Sequence, residues 1–185
     1  TTFISYFDNL VLEKAEEGVY ESSYWTLLSQ TLNDNKLNTN YLHIYIKDNF
    51  LTSAKKAKKI IKQFNQVQKG KQVHVALSSF LSIPLIISVF HDWYLISKTS
   101  SRICKQLQIK SDYLWPLFRK DCQDSLSGIP AISNILYLNL FELAFDKLPV
   151  QKNGFYLQEN QGWEVGCVST WKSKNHRDFL TGVPH

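Results

Sequence analysis

Several motifs that would assign this chain to a common enzyme class are missing from its 185 residues. There is no G-x-G-x-x-G, so a classical dinucleotide fingerprint is absent. There is also no G-x-x-x-x-G-K-[ST], which excludes a P-loop NTPase. The absence of G-x-S-x-G argues against an α/β-hydrolase. H-E-x-x-H, Asp-x-Asp and C-x-x-C are missing as well, so the sequence predicts no metal site and no redox dithiol.

Cysteine and methionine are also scarce. The three cysteines, Cys104, Cys122 and Cys167, are odd in number and widely spaced, which suits a reducing compartment. The chain opens without the basic stretch and cleavage site of a signal peptide, and its longest apolar run, 80–89, is too short to span a bilayer. We therefore expect a cytoplasmic protein. Because methionine is absent even at position 1, and the chain stops just after a strand-like run, we also expect a piece of a longer protein.

The charge of the chain is mildly basic, with a formal net charge of +5 and a pI near 9.0. This balance permits an anionic ligand such as a nucleotide and does not by itself indicate nucleic acid. Five lysines lie on a predicted helix, 54–66, mostly opposite its apolar face. They are typical of a solvated surface, with contact to acidic lipid or nucleic acid as the alternative. No aromatic residues interleave with them, so we expect no nucleic-acid partner.

Hydrophobic periodicity predicts an α/β domain. Alternating or continuous apolar runs indicate strands, helical spacing indicates helices between them, and a long helical region precedes the fourth strand. The predicted strands span 2–7, 40–47, 72–77, 153–159 and 178–183. The long helical region spans 83–149, with breaks expected near Ser100, Ser111 and Gly128. Residues 1–185 thus predict a single Rossmann-like three-layer domain with a mostly parallel sheet of about five strands.

The loops after the strands hold the candidate site, because ligands of open parallel sheets bind at the carboxyl ends of strands. Asp8 follows the first strand, and Glu159 ends the fourth. Either carboxylate can serve as a catalytic base or simply hold a turn or helix cap. The stretch around Glu159 is the richest in polar side chains, and Gly162 is expected to allow a tight turn there. The predicted ligand-binding residues are Gln158, Asn160, Gln161, Gly162, Trp163 and Glu164.

Two interpretations of this strand-to-helix turn stay open. In one, free N–H groups at the start of the following helix hold a phosphate. In the other, Glu159 and Glu164 cap the helix and Trp163 belongs to the core.

The histidines divide by position. His43 and His74 lie inside predicted strands and are expected to be packed, whereas His176 and His185 flank the last strand. His185 follows a Gly-Val-Pro turn at a strand's carboxyl end, where it can hold a phosphate or exchange a proton. His185 therefore completes the set of catalytic candidates with Asp8 and Glu159.

The chain resembles a family of bacterial surface carbohydrate biosynthesis proteins over nearly its whole length. The resemblance rests on TFISYFDNL, NYLHIYIK, DYLWPLFRKD, ISNILYLNLFELAF and the terminal GVPH, and above all on YLQENQGWE. It implies one Rossmann-like half of a GT-B-like glycosyltransferase that takes a nucleotide-activated sugar and a glycan acceptor. It implies no cofactor and no metal, and it allows peripheral contact with the inner face of the cytoplasmic membrane. It names no donor sugar.

Two functional hypotheses follow. The first is a metal-independent glycosyltransferase in which a carboxylate deprotonates the acceptor hydroxyl. The second is a non-catalytic Rossmann-like domain that recognises a glycan or a partner enzyme. The first requires Glu159 and Glu164 to line a cleft at the strand ends. The second requires them to cap a helix, with an exposed aromatic patch elsewhere.

Overall fold

The computed structural model describes residues 1–35, 37–47, 49–68, 70–110, 113–149, 151–174 and 179–184. It consists of five strands and seven α-helices among these residues, with a 3-10 turn at Leu77–Phe80. In chain order they are β1 Thr2–Tyr6, α1 Leu12–Glu16, α2 Thr26–Asp34, β2 Thr39–Ile44, α3 Ala54–Gln68, β3 Gln72–Ala76, α4 Ile83–Lys110, α5 Trp115–Ser127, α6 Ile129–Lys147, β4 Gly154–Gln158, α7 Gly162–Ser173 and β5 Leu180–Pro184.

The five strands form one parallel sheet in the order β3-β2-β1-β4-β5. Helices cover both faces, so the predicted three-layer α/β architecture and the long helical insertion before β4 are confirmed. From β1, which lies in the centre of the sheet, β2 and then β3 follow one after the other towards one edge. The chain then crosses back through α4, α5 and α6 and continues on the other side with β4 and β5.

One face of the sheet is covered by α1, α2 and α3. Helix α3 begins after Ser53, whose hydroxyl accepts a hydrogen bond from the Lys56 N–H at 3.2 Å. Its buried side chains follow helical spacing and form the predicted apolar face: Ala57, Ile60, Ile61 and Phe64. Burying this stripe on the sheet leaves the lysines of the helix outside.

Two histidines are packed within this face, as predicted. His43 and His74 are each about 1% exposed, and Nε2 of His43 lies 3.0 Å from Nδ1 of His74. One of these nitrogens must donate and the other accept, so the pair fits together only while the accepting ring is neutral. Tyr20, Tyr41 and Phe64 surround the rings. This apolar burial lowers the pKa of His74 to about 3, and it lowers the pKa of His43 well below its ordinary value.

The opposite face is covered by α4, α6 and α7, with α5 packed against α4 and α6. Helix α4 runs without interruption from Ile83 to Lys110, so the break expected near Ser100 is wrong. The Ser100 hydroxyl donates to the Ser97 carbonyl at 2.7 Å, and the Thr99 hydroxyl donates to Ile96 at 3.0 Å. Because these hydroxyls bond within the helix, they do not end it.

The other two expected breaks lie between helices. The first helix boundary falls at Lys110, next to Ser111, which is itself outside the described residues. The second falls at Gly128, which has extended backbone angles and separates α5 from α6. No single helix among the described residues is long and apolar enough to cross a bilayer, although α5 and α6 together reach that length across a bend of 51°.

Two of the cysteines meet in space. Sγ of Cys104 on α4 lies 3.5 Å from Sγ of Cys122 on α5, although neither belongs to a sequence motif. We expect a mild oxidant such as diamide to join them. The bond would stabilise the fold by about 3 kcal/mol, since it closes a short loop in the unfolded chain.

The measurement is the loss of two titratable thiols together with a higher melting temperature that a reductant reverses. Cys122→Ser is the control and should show neither change. Oxidation without a rise in melting temperature would contradict the expectation.

Candidate functional site

The strand order defines a switch point between β1 and β4, because the connections from these neighbouring strands leave towards opposite sides of the sheet. Ligands of open parallel sheets bind at such a point, beyond the carboxyl ends of the strands. Asp8 and Glu159 follow β1 and β4, so the structure brings these two sequence candidates to the same opening. We call this opening the crevice; Asp8, Asn9, Glu159 and Asn160 form its rim.

The backbone turns at both sides of the crevice in the same unusual way. Asn9 has φ of 48° and Asn160 has φ of 59°, and among the described residues they are the non-glycine positions with positive φ. Asparagine tolerates the left-handed conformation better than most residues, and strain of this kind concentrates at functional sites. In both places the asparagine directly follows an acidic residue at a strand end.

Tyr24 covers Asp8. The neighbouring Trp25 is buried and donates from Nε1 to the Ser5 hydroxyl of β1 at 3.1 Å, which fixes the segment before α2 against the strand. This anchor places the Tyr24 hydroxyl 3.4 Å from Oδ2 of Asp8, to which it donates. Burial, reinforced by the charges of Asp8 and Glu159, raises the pKa of Tyr24 to about 12. The phenol is therefore a permanent hydrogen-bond donor at neutral pH, beside both candidate carboxylates.

Trp163 anchors the other side of the crevice. It is 3% exposed, and its Nε1 donates to the Tyr6 hydroxyl at the end of β1 at 2.8 Å. The two rings meet edge to face at 5.8 Å. This contact ties the start of α7 to β1, so Trp163 holds the shape of the crevice from within the core. That it also touches a ligand stays a prediction.

Glu164 caps helix α7. Its Oε1 accepts the N–H groups of Glu159 at 2.8 Å and Gln161 at 2.7 Å, while the Gln161 side chain accepts the N–H of Glu164. The helix start thus carries its own anion. The interpretation of Glu164 as a cap is correct, and the N–H groups of Glu159, Gln161 and Glu164 are not free. Phosphate binding by the helix start stays a prediction. A phosphate at this helix start would meet the Glu164 carboxylate.

Gly162 has a different role from the one predicted. Its φ is not positive, so it does not supply a tight turn; Asn160 provides the left-handed residue instead. A Cβ at position 162 would collide with the Oδ1 atom of Asn134 on α6. A larger residue at position 162 would therefore require the Asn134 side chain to move aside.

The remaining predicted residues are dispersed around the opening. Gln158 lies over Gly182 of the neighbouring strand β5, since a Cβ on that glycine would come 2.8 Å from its Oε1. Asn160 and Gln161 are exposed at the turn. His185, the third catalytic candidate, and His176 lie outside the described residues. The ligand-binding roles of the first three residues stay predictions.

Three residues of the site were missed from sequence. Asn9 carried a visible signal, because an acid–asparagine pair follows three of the predicted strands, as Asp8-Asn9, Asp48-Asn49 and Glu159-Asn160. Tyr6 lies inside the predicted strand 2–7, and that pattern does not indicate that its hydroxyl reaches the strand end beside Trp163. Tyr24 reaches Asp8 from 16 positions along the chain, and no local pattern predicts that contact.

No protein-family model, curated protein or solved structure matches this chain. The described residues contain no group of three or more His, Cys, Asp or Glu side chains arranged to hold a metal ion. The crevice combines two carboxylates at its rim with two phenols, Tyr6 and Tyr24, and an internally capped helix start. Carboxylates and phenols both hydrogen-bond hydroxyl groups well, and the carboxylates repel phosphate, so the arrangement suits a hydroxyl-rich ligand.

Proposed function

We propose that this chain carries the acceptor site of a metal-independent glycosyltransferase that uses a nucleotide-activated sugar to build bacterial surface polysaccharide. The observation that supports the proposal most is the pairing of Asp8 and Glu159 across the switch point of the sheet. A carboxylate there can accept the proton of a sugar hydroxyl as that oxygen attacks the anomeric carbon of the donor. We place the protein in the cytoplasm, with peripheral contact at the inner membrane face.

The two carboxylates would have different roles. Asp8 receives the hydrogen bond of Tyr24, which orients it. The backbone N–H of Glu159 is held by Glu164, while the Glu159 side chain is half-buried beside the crevice. The acceptor would lie between them, and the departing nucleotide would be stabilised by groups other than the start of α7, which Glu164 already occupies.

The test uses the longest expressible form of the protein and measures release of nucleotide from a panel of CMP-, UDP-, GDP-, ADP- and dTDP-sugars with a mixed oligosaccharide acceptor. We expect turnover with one nucleotide class, and we expect the same nucleotide to raise the melting temperature by several degrees at saturation. If no donor is consumed in the presence of any acceptor, the transferase proposal fails.

Substitution of the rim carboxylates gives a sharper prediction. One of the two carboxylates acts as the base, and the variant that removes it, either Asp8→Asn or Glu159→Gln, should lower kcat by at least about a hundredfold. Because both side chains lie at the rim, the melting temperature should change by less than about 2 °C. Glu142→Gln is the control, since that carboxylate is exposed on α6 and is not part of the rim, and it should keep the activity. Full activity in both carboxylate variants would contradict a catalytic role.

A binding or scaffold domain is the second candidate, and an exposed patch favours it. Ile83, Ile87, Phe90 and Tyr94 lie on one face of α4, and all are more than half exposed. Glu164 caps a helix, as that hypothesis requires, whereas the Glu159 side chain takes no part in the cap. Phe90→Ser together with Tyr94→Ser would abolish partner or glycan binding in this case and leave the crevice unchanged.

A further inference from the structure

A second opening lies beside the crevice, towards the outer edge of the sheet, and shares none of the four rim residues. It is a groove of about 660 Å³ between α3 and β3, within the size range of small-molecule sites. We call it the groove. One wall is formed by α3 and the other by the end of β3 and the following turn, where Ser78 and Ser79 are exposed. Phe7 and His74 lie at its buried side.

The interior of the groove is apolar and lacks bulky side chains on the helix side. Ala54, Ala57 and Ile61 face it from α3, and Ala76 faces it from β3. The space persists because two of the three helix residues are alanines. The hydroxyl groups of a polyhydroxyl ligand would lose their hydrogen bonds to water and find no partners on such walls. A hydrocarbon chain has no hydrogen bonds to lose, so its removal from water is favourable.

The rim of the groove is positively charged. Lys55, Lys58 and Lys62 line it at positions i, i+3 and i+7 of α3, so they share one side of the helix. No carboxylate occurs among the described residues that line the groove. Lys56 is directed elsewhere: its Nζ donates to the Phe50 carbonyl and lies 4.1 Å from the centre of that ring. Three lysines of α3 therefore line the groove, whereas Lys56 contacts Phe50 instead.

From this combination we propose that the groove binds a single-chain amphiphile with an anionic phosphate head, its hydrocarbon chain against Ala57 and Ala76 and its head among the three lysines. Phe7, at the buried side of the groove, directly precedes Asp8. The bound molecule therefore lies beside the crevice without occupying it. This inference stands on the groove alone and does not depend on transferase activity.

The test is isothermal titration of the purified protein with decyl phosphate below its micelle concentration. We expect saturable binding at one site, and we expect affinity to rise about two- to fourfold for each methylene added from hexyl to decyl phosphate. Inorganic phosphate tests the head alone, and decyl maltoside and decyltrimethylammonium test the charge. Each of these three should bind at least tenfold more weakly than decyl phosphate.

Two neighbouring lysines provide a matched pair of variants. Lys58→Gln removes a charge from the groove, whereas Lys59→Gln removes the same charge from the adjacent position, which does not line it. We expect the first to weaken decyl phosphate binding about three- to fivefold and the second to leave it unchanged. Asp8→Asn should also leave it unchanged, which keeps this result separate from any failure of the transferase assay.

Three results would overturn the proposal. Equal effects of Lys58→Gln and Lys59→Gln would show general attraction to a basic helix. Binding that does not depend on chain length would show that the apolar walls take no part. Binding to vesicles of anionic lipid with no binding of monomeric decyl phosphate would assign the lysines to a membrane surface instead.

Discussion

The free energy of unfolding is expected to fall by about 4 kcal/mol between pH 7.5 and pH 5 because of His43 and His74 alone. In the unfolded chain both rings titrate near pH 6.5. In the folded protein, burial lowers the pKa of His74 to about 3 and the pKa of His43 well below its ordinary value. The unfolded chain therefore takes up two protons that the folded one does not, so the stability present above pH 6.5 is lost as the pH falls.

Urea unfolding at a series of pH values measures this loss. The double variant His43→Gln/His74→Gln should show an almost flat profile between pH 7.5 and 5, and the single variant His74→Gln should keep about half of the slope. His91→Gln is the control, because that side chain is exposed on α4. A wild-type profile that is flat over this range would contradict the expected neutral pair.

Replacing Glu164 by alanine is expected to destabilise the fold by about 3 kcal/mol. The substitution removes the acceptor of the Glu159 and Gln161 N–H groups at a buried helix start and leaves a small cavity. For a chain of this size the melting temperature should fall by about 6–12 °C. Chemical and thermal unfolding both measure the effect.

A second substitution at position 164 separates the contribution of the hydrogen-bond acceptor from that of the negative charge. Glu164→Gln keeps an acceptor oxygen in place, so we expect less than half of the alanine effect. Glu159→Gln changes a glutamate five residues away in the same turn, whose side chain takes no part in the cap, and it should scarcely alter stability. Equal losses at positions 159 and 164 would contradict the assignment of the cap to Glu164.

The sequence was sufficient to predict the fold wherever a short-range pattern carries the information. The spacing of Ala57, Ile60 and Phe64 defines the buried side of α3. Bulky residues on both sides of β2, such as Tyr41 and Leu42, are typical of a strand covered on both faces, and both side chains are buried. Alternation of strands and helices then predicted a parallel sheet, because such connections need crossovers.

The site was only partly predictable, since its contacts join distant segments. Asp8 and Glu159 were selected from their places after strands, and the strand order brings them to one opening. The roles of Glu164 and Gly162 depend on what surrounds them: two N–H groups for the first, and Asn134 of another helix for the second. The Cys104–Cys122 contact likewise depends on how α4 packs against α5. Local propensity carries no information on such pairs.

Asn65 of α3 protects the edge strand β3 against pairing with a strand of another molecule. Asn65 binds the backbone of His74 at both groups: its Oδ1 accepts the N–H at 2.8 Å, and its Nδ2 donates to the carbonyl at 2.8 Å. A carboxamide used in this way imitates one residue of an additional strand. Because β3 is an edge strand, another chain that sought to pair there would have to displace two short hydrogen bonds. Self-association by sheet extension is thereby opposed at this edge, while the groove beside it stays open to a small molecule.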